Sequence, residues 1–146
     1  MIKRVILVFI LIFSTYSFAS SNMDENNKVE KVFKKMVRAY KNENQKAFFN
    51  HVSEKKFQQD YLSFYDSIDE DFNTNDVLST NTWINKITDD GKKRFLYVKW
   101  TKRHQSSSSD KEIKSEGNTR FLFEKIKDKY KLIAFSGDLF WGVSNP

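Results

Sequence analysis

The chain has 146 residues, 16% of them Phe, Trp or Tyr, a formal net charge of +6 and no cysteine. That length and aromatic content predict one domain able to bury a core of its own. The missing cysteines exclude a disulfide framework, a thiol nucleophile and a thiolate metal site, and Lys and Arg, spread without a run of five, describe a solvated basic surface and not a nucleic-acid footprint.

The first nineteen residues read as a secretory signal peptide. Lys3 and Arg4 form a positive start, residues 5–13 are an unbroken apolar run, and Ser17 and Ala19 place small side chains at the −3 and −1 positions of a cleavage site before Ser20. Ser14, Thr15 and Ser17 stop the run well short of the roughly 20 apolar residues of a spanning helix, so no stable membrane span is expected after cleavage. No cysteine follows to carry a lipid anchor. The expectation is an exported protein, periplasmic or secreted, in which 1–19 is the signal peptide, 20–27 a flexible lead-in and 28–146 a single α+β domain. Losing Lys3 and Arg4 lowers the formal charge from +6 to +4.

In the domain, Val29, Val32, Phe33, Met36, Val37 and Tyr40 repeat at helical spacing and predict an amphipathic helix over about 24–41. Asn44 can cap a second, short helix whose buried side is Phe48, Phe49 and Val52. A third stripe, Phe57, Tyr61, Phe64, Tyr65, Ile68 and Phe72, predicts another helix. From Asn73 the period changes to that of strands. Residues 77–88 and 93–105 flank the turn signal Asp89-Asp90-Gly91 and form a hairpin. In the return strand Leu96, Val98 and Trp100 share one face, and Phe95, Tyr97, Lys99 and Thr101 share the other. Residues 106–117, rich in Ser and charge, read as an exposed connection. A second hairpin pairs 121–126 with 130–136 across Lys127-Asp128-Lys129. The apolar tail Leu139-Phe140-Trp141-Gly142-Val143 needs cover.

Three helices, the middle one short, followed by at least four antiparallel strands imply an α+β fold with N-terminal helices packed on a curved antiparallel sheet. The first helix, residues 44–52 and above all 121–138, which look like a penultimate and a last strand, carry a resemblance to the nuclear-transport-factor-2-like superfamily of cone-shaped domains, and within it to small exported bacterial members. The resemblance implies a conical pocket between sheet and helices, and a homodimer of the sort common in that superfamily. It implies no particular chemistry, since the superfamily hosts enzymes, ligand binders and proteins that bind only other proteins. One departure is evident: a strand or hairpin usually precedes the third helix, so either a short strand lies near 55–57 or the fold is reduced.

Residues that could carry chemistry are few. His51 and His104 are the only histidines; with Asp138 at the end of the last strand, a His–carboxylate pair could act as a general base. Residues 69–76 begin like a calcium loop, but Thr74 stands where that loop needs Gly and Thr80 where it needs Glu, so no metal site is assigned and no cofactor is implied. Glycine-rich nucleotide loops, serine elbows and His-Glu-x-x-His are absent. Tyr97, Lys99, Trp100 and Trp141 are the candidate ligand- or partner-binding residues, because strands apolar on both faces need cover on both. The expected function is non-catalytic binding of a small apolar ligand or an envelope protein through a pocket or an exposed sheet face. An isomerase- or hydrolase-type enzyme built on the histidines and Asp138 is the alternative.

Overall fold

The computed structural model describes the backbone of residues 2–142 and the side chains of residues 21–142. Helix α1 spans Ile2–Lys41 and turns Val29, Phe33, Met36 and Tyr40, each fully buried, onto the sheet. The side chains of the expected signal peptide lie outside the described residues. Residues 20–27, expected as a flexible lead-in, belong to this helix. The reason is tertiary: the Glu25 carboxylate accepts from Lys125 Nζ at 3.1 Å and Tyr130 Oη at 2.8 Å, and Asn22 Oδ1 accepts from Arg94 at 3.2 Å. Those partners are 72 or more positions away, beyond the reach of any local pattern.

Helix α2, Gln45–Phe49, is capped by Asn44, whose side chain accepts from the Ala47 amide at 2.9 Å. It ends earlier than Val52 because the chain there turns to run beside the last strand. A 3-10 turn, Glu54–Lys56, follows. Helix α3, Tyr61–Thr74, is capped by Asp60. Phe57 therefore lies ahead of this helix, yet it stacks on Phe64 at 5.1 Å, which is how a residue outside the helix continues its apolar stripe.

Four strands, β1 Asn75–Asp90, β2 Lys93–Ser106, β3 Glu112–Ile126 and β4 Lys129–Gly137, form one antiparallel meander in sequence order. The β1–β2 turn uses Gly91 at φ +62, and the β3–β4 turn holds Lys127 and Asp128 at φ +47 and +63, the twist that two-residue hairpins favour. β3 begins at Glu112, so the expected loop shrinks to a short turn. Its first half is polar apart from the exposed Ile113 and shows no apolar alternation; it pairs with β2 from Gln105↔Glu112 onward, and Arg103 and Glu112 join in a two-point ion pair at 2.5 and 2.6 Å.

The helices cover one face of this curved sheet. Leu96, Val98 and Trp100 of β2, Phe121 and Phe123 of β3 and Leu132 of β4 are buried with the α1 stripe, Phe48, Phe64 and Ile68. The chain also protects the β4 edge. Val52 bridges Leu132 in parallel, Ser53 N donates to Leu132 O at 3.0 Å, Leu132 N to His51 O at 2.8 Å and Gln58 N to Ile133 O at 2.7 Å. The Gln59 amide then pairs with both backbone groups of Phe135. The short strand that the sequence left open near 55–57 is thus a single bridge at Val52 with a side chain imitating its continuation.

Candidate functional site

After β4 the chain turns inward. Gly137 at φ +105 and Gly142 at φ +83 bracket a bend that puts Phe140 and Trp141, 1% and 2% exposed, between sheet and helices. Trp141 lies 4.7 Å from Phe121, 4.9 Å from Phe48 and 5.9 Å from Phe33; Phe140 lies 5.2 Å from Trp100. The sequence requires only that this apolar tail be covered, on either side of the sheet. It fills the space under the helices, since aromatic surface loses more water contact among Phe33, Phe48 and Phe121 than on an open face.

Beside this aromatic plug sits a buried polar cluster. Lys102, 5% exposed, donates to Tyr40 Oη at 3.0 Å and to the Phe140 carbonyl at 3.1 Å. Tyr40 Oη donates to Asp71 Oδ2, and Asp71 Oδ1 accepts from Asn75 at 3.0 Å. Burial pushes the Lys102 ammonium below its ordinary pKa while Asp71 pulls it back, and burial and Asp71 push the Tyr40 phenol up. The acidic stretch 69–76 is therefore not a loop: α3 runs to Thr74, β1 starts at Asn75, and Asp71 turns into the core.

The three residues proposed for acid–base work stand apart. His51 is half-buried at the β4 edge, its pKa lowered by burial and then by Lys131 and Lys35. His104 has its pKa lowered by burial and Lys102, opposed by Asp71. Asp138 is exposed and engaged: its Oδ2 accepts from Asn118 N at 2.7 Å and its carbonyl from Thr119 Oγ1 at 2.5 Å. Of the four binding candidates, Trp100 and Trp141 are interior. Tyr97 and Lys99 lie on the outer face with Trp83, which pairs with Lys99, and with Phe95, over whose ring Arg120 lies at 5.7 Å. Trp83 is 49% and Tyr97 37% exposed. Depressions of about 400 and 260 Å³ flank Arg120 on this face, the first lined by Tyr97, Asn118 and Ser136, the second by Phe95, Leu122 and Ala134.

No protein-family model matches the sequence, and no curated protein matches it. Solved structures do match in shape. An NTF-2-like protein of unknown function from Shewanella oneidensis superposes with a TM-score of 0.62 at 9% identity, over 77% of this chain and 98% of the other. The fold is nuclear-transport-factor-2-like. A superfamily protein from Salmonella enterica serovar Typhimurium agrees at 0.61 and 10% identity, over 87% and 99% of the two chains. A candidate aromatic ring hydroxylase from Novosphingobium aromaticivorans scores 0.61 at 9% identity, over 84% and 93%. At such identities the likeness speaks for the nuclear-transport-factor-2-like fold alone.

Tyr40, Asp71 and Lys102 were not among the sequence candidates, although local patterns place two of them. Lys102 lies two positions beyond Trp100, so strand parity puts it on the same face as Leu96, Val98 and Trp100, and the helices that pack on that face make it the inner one. Asp71 lies three residues after Ile68 on α3, on the core-facing side. Their pairing through Tyr40, 31 and 62 positions distant, exists only in the fold.

Proposed function

We propose that this is an exported, non-catalytic binding domain that holds an envelope protein against the outer face of its sheet. The observation that carries the reading is the filled interior. Phe140 and Trp141 occupy the space between sheet and helices, and the Phe140 carbonyl accepts a hydrogen bond from Lys102. The buried Lys102, Tyr40 and Asp71 cluster is thereby covered by the chain's own tail, His51 and Asp138, on which the enzymatic alternative was built, lie on different elements, and Phe140 and Trp141 take the place where a small apolar ligand would sit.

The outer face supports the binding half of the reading. Trp83, Tyr97 and Phe95 offer aromatic area, and Lys86, Lys99 and Arg120 stand in register among them, with Lys86 and Arg120 both paired to Tyr97. Aromatic and Arg side chains in one patch are the usual anchors of an interface, and the three cations select a partner with an acidic surface. Export supplies the compartment: the apolar run and cleavage residues before Ser20 point to an envelope or extracellular partner.

Site-specific photo-crosslinking in the exporting host tests this. A photoreactive residue at Trp83 or Tyr97 is expected to give the same discrete protein adduct, absent when the residue is moved to Ser109 and lost when Tyr97→Glu is added to the Trp83 variant. No adduct at either position, or a small molecule retained by the purified protein in place of one, would overturn the proposal.

A further inference from the structure

The β1–β2 and β3–β4 turns lie side by side at one end of the sheet, where the Lys125 amide donates to the Lys92 carbonyl at 2.9 Å. Ser21 and Glu25 of α1 close a cleft of about 510 Å³ against them. Its charged lining is four cations, Lys92, Arg94, Lys125 and Lys127, against two carboxylates, Glu25 and Asp128. Glu25 and Lys125 neutralise each other at 3.1 Å. Among the described residues the exposed Lys92 and Lys127 have no ion-pair partner, so the cleft keeps an excess of positive charge.

One of the four cations is inside the protein and is poorly matched there. The Arg94 side chain is 5% exposed, and its hydrogen-bond acceptors are all neutral: Nη1 donates to the Gly91 and Lys93 carbonyls at 2.9 and 3.1 Å, and Nη2 to Asn22 Oδ1 at 3.2 Å. Among the described residues the only carboxylate within 4.0 Å is Asp89, at 3.9 Å, too far for a hydrogen bond. Nε is enclosed with no acceptor at all. Taking a charge out of water is costly unless an opposite charge meets it with hydrogen bonds. A guanidinium is built to present parallel N–H groups to two oxygens of one anion, yet in Arg94 one donor is idle and the others hold neutral oxygens.

We propose that this cleft binds a phosphate group carried on a small polar body: its oxygens take the place of Asn22 Oδ1 on Arg94, reach the idle Nε, and meet the Lys92 and Lys127 ammonium groups. A phosphate suits the site better than a carboxylate, because three cations match a group that spreads roughly two negative charges over its oxygens. The aromatic residue in the lining, Tyr130, is buried and donates its hydroxyl to Glu25. No ring is therefore offered on which a nucleobase could stack, and the fitting class is an ester of glycerol or a sugar. Such a phosphate comes from a soluble ester or from a phospholipid headgroup. The site shares no residue with the aromatic outer face and does not depend on the reading of that face.

Titration calorimetry of the mature chain with glycerol phosphate at low ionic strength tests the site, and flotation with phosphatidylglycerol vesicles tests the lipid source. Binding is expected with a Kd below about 1 mM. Asn22→Asp, which sets a resident carboxylate on Arg94, and the pair Lys92→Gln with Lys127→Gln are each expected to weaken it at least about tenfold. The pair Lys46→Gln with Lys55→Gln, an equal change of charge away from the cleft, and Tyr97→Glu are expected to leave it intact. None of these positions is buried, so all variants should keep the wild-type circular dichroism spectrum. Glycerol phosphate bound with this pattern while vesicles are ignored assigns a soluble ester; vesicles bound with the same pattern assign the headgroup. No binding of either probe up to about 10 mM, an affinity indifferent to the Asn22 and lysine variants of the cleft, or equal affinity for acetate would each overturn the proposal.

Discussion

At Lys102 a buried ammonium is tolerated because two oxygens and a nearby carboxylate surround it; truncating it strands Tyr40 and the Phe140 carbonyl and leaves Asp71 without its countercharge. Lys102→Ala is expected to cost about 3–5 kcal/mol, and Lys102→Met, which keeps the packing, distinctly less; urea unfolding separates the two. Gly117 is a second fixed point. A Cβ there would stand 2.5 Å from Asp138 Cβ and 2.8 Å from the Trp100 ring, so Gly117→Ala is expected to displace Trp100 and shift its fluorescence as well as lower the melting temperature. Glu25 shows how pH acts on the fold. Hydrogen bonds from Lys28 first and then Tyr130 hold its pKa down to about 2 from 4.5, burial opposes them, and Lys125 adds to the lowering. A depressed folded-state pKa means the contribution is complete above about pH 4.5 and disappears as pH falls toward about 2. Glu25→Gln is therefore expected to flatten that part of the stability–pH curve, by about 1–2 kcal/mol given that Lys28 is half exposed.

Among the elements, α1 and the C-terminal tail carry the most. Phe33 and Phe64, at 0% and 6% exposure, lie on the two long helices that cover the sheet, and Phe33→Ala or Phe64→Ala is expected to cost about 3–5 kcal/mol by chemical denaturation. Near-neutral values for both would mean that the helices do not pack as described. Truncation after Asp138 removes Phe140 and Trp141 from the interior, leaves Lys102 without its carbonyl acceptor and takes the Phe140 ring away from Tyr40. The shortened chain is expected to lose several kcal/mol, to bind a dye for exposed apolar surface, and to associate non-specifically in sedimentation. Wild-type stability after that truncation would show the tail to be an idle extension.

For the whole molecule, the packing divides labour between the two faces of the sheet. The face under the helices is closed by the chain's own tail, and the outer face keeps Trp83 and Tyr97 accessible beside Lys99 and Arg120. The binding proposed for that face is expected to weaken as salt rises, because Lys86, Lys99 and Arg120 act at the surface; titrating the affinity of any partner identified by crosslinking against ionic strength reads this. Export belongs to the same scale. N-terminal sequencing of the mature protein from an exporting host is expected to begin near Ser20 or Ser21, and a chain still starting at Met1 would exclude cleavage.

The elements themselves were legible in the sequence, since helix and strand periods follow from which side chains must share a face: the stripe from Val29 to Tyr40, the alternation of Leu96, Val98 and Trp100 and the turn at Lys127-Asp128 are local patterns with local causes. Boundaries were less so wherever polar residues adopt regular structure through distant partners, as Glu25 does through Tyr130 and Glu112 through Arg103. The direction of the tail, the burial of Lys102 and the sealing of one sheet edge were decided only by the tertiary structure. An apolar tail can satisfy its need for cover on either face, and strand parity says that two residues share a side without saying which side is inside. The helices choose that side by packing on it, and once they do, Phe140 and Trp141 fill the space beneath them while Tyr97 and Lys99 are left outside.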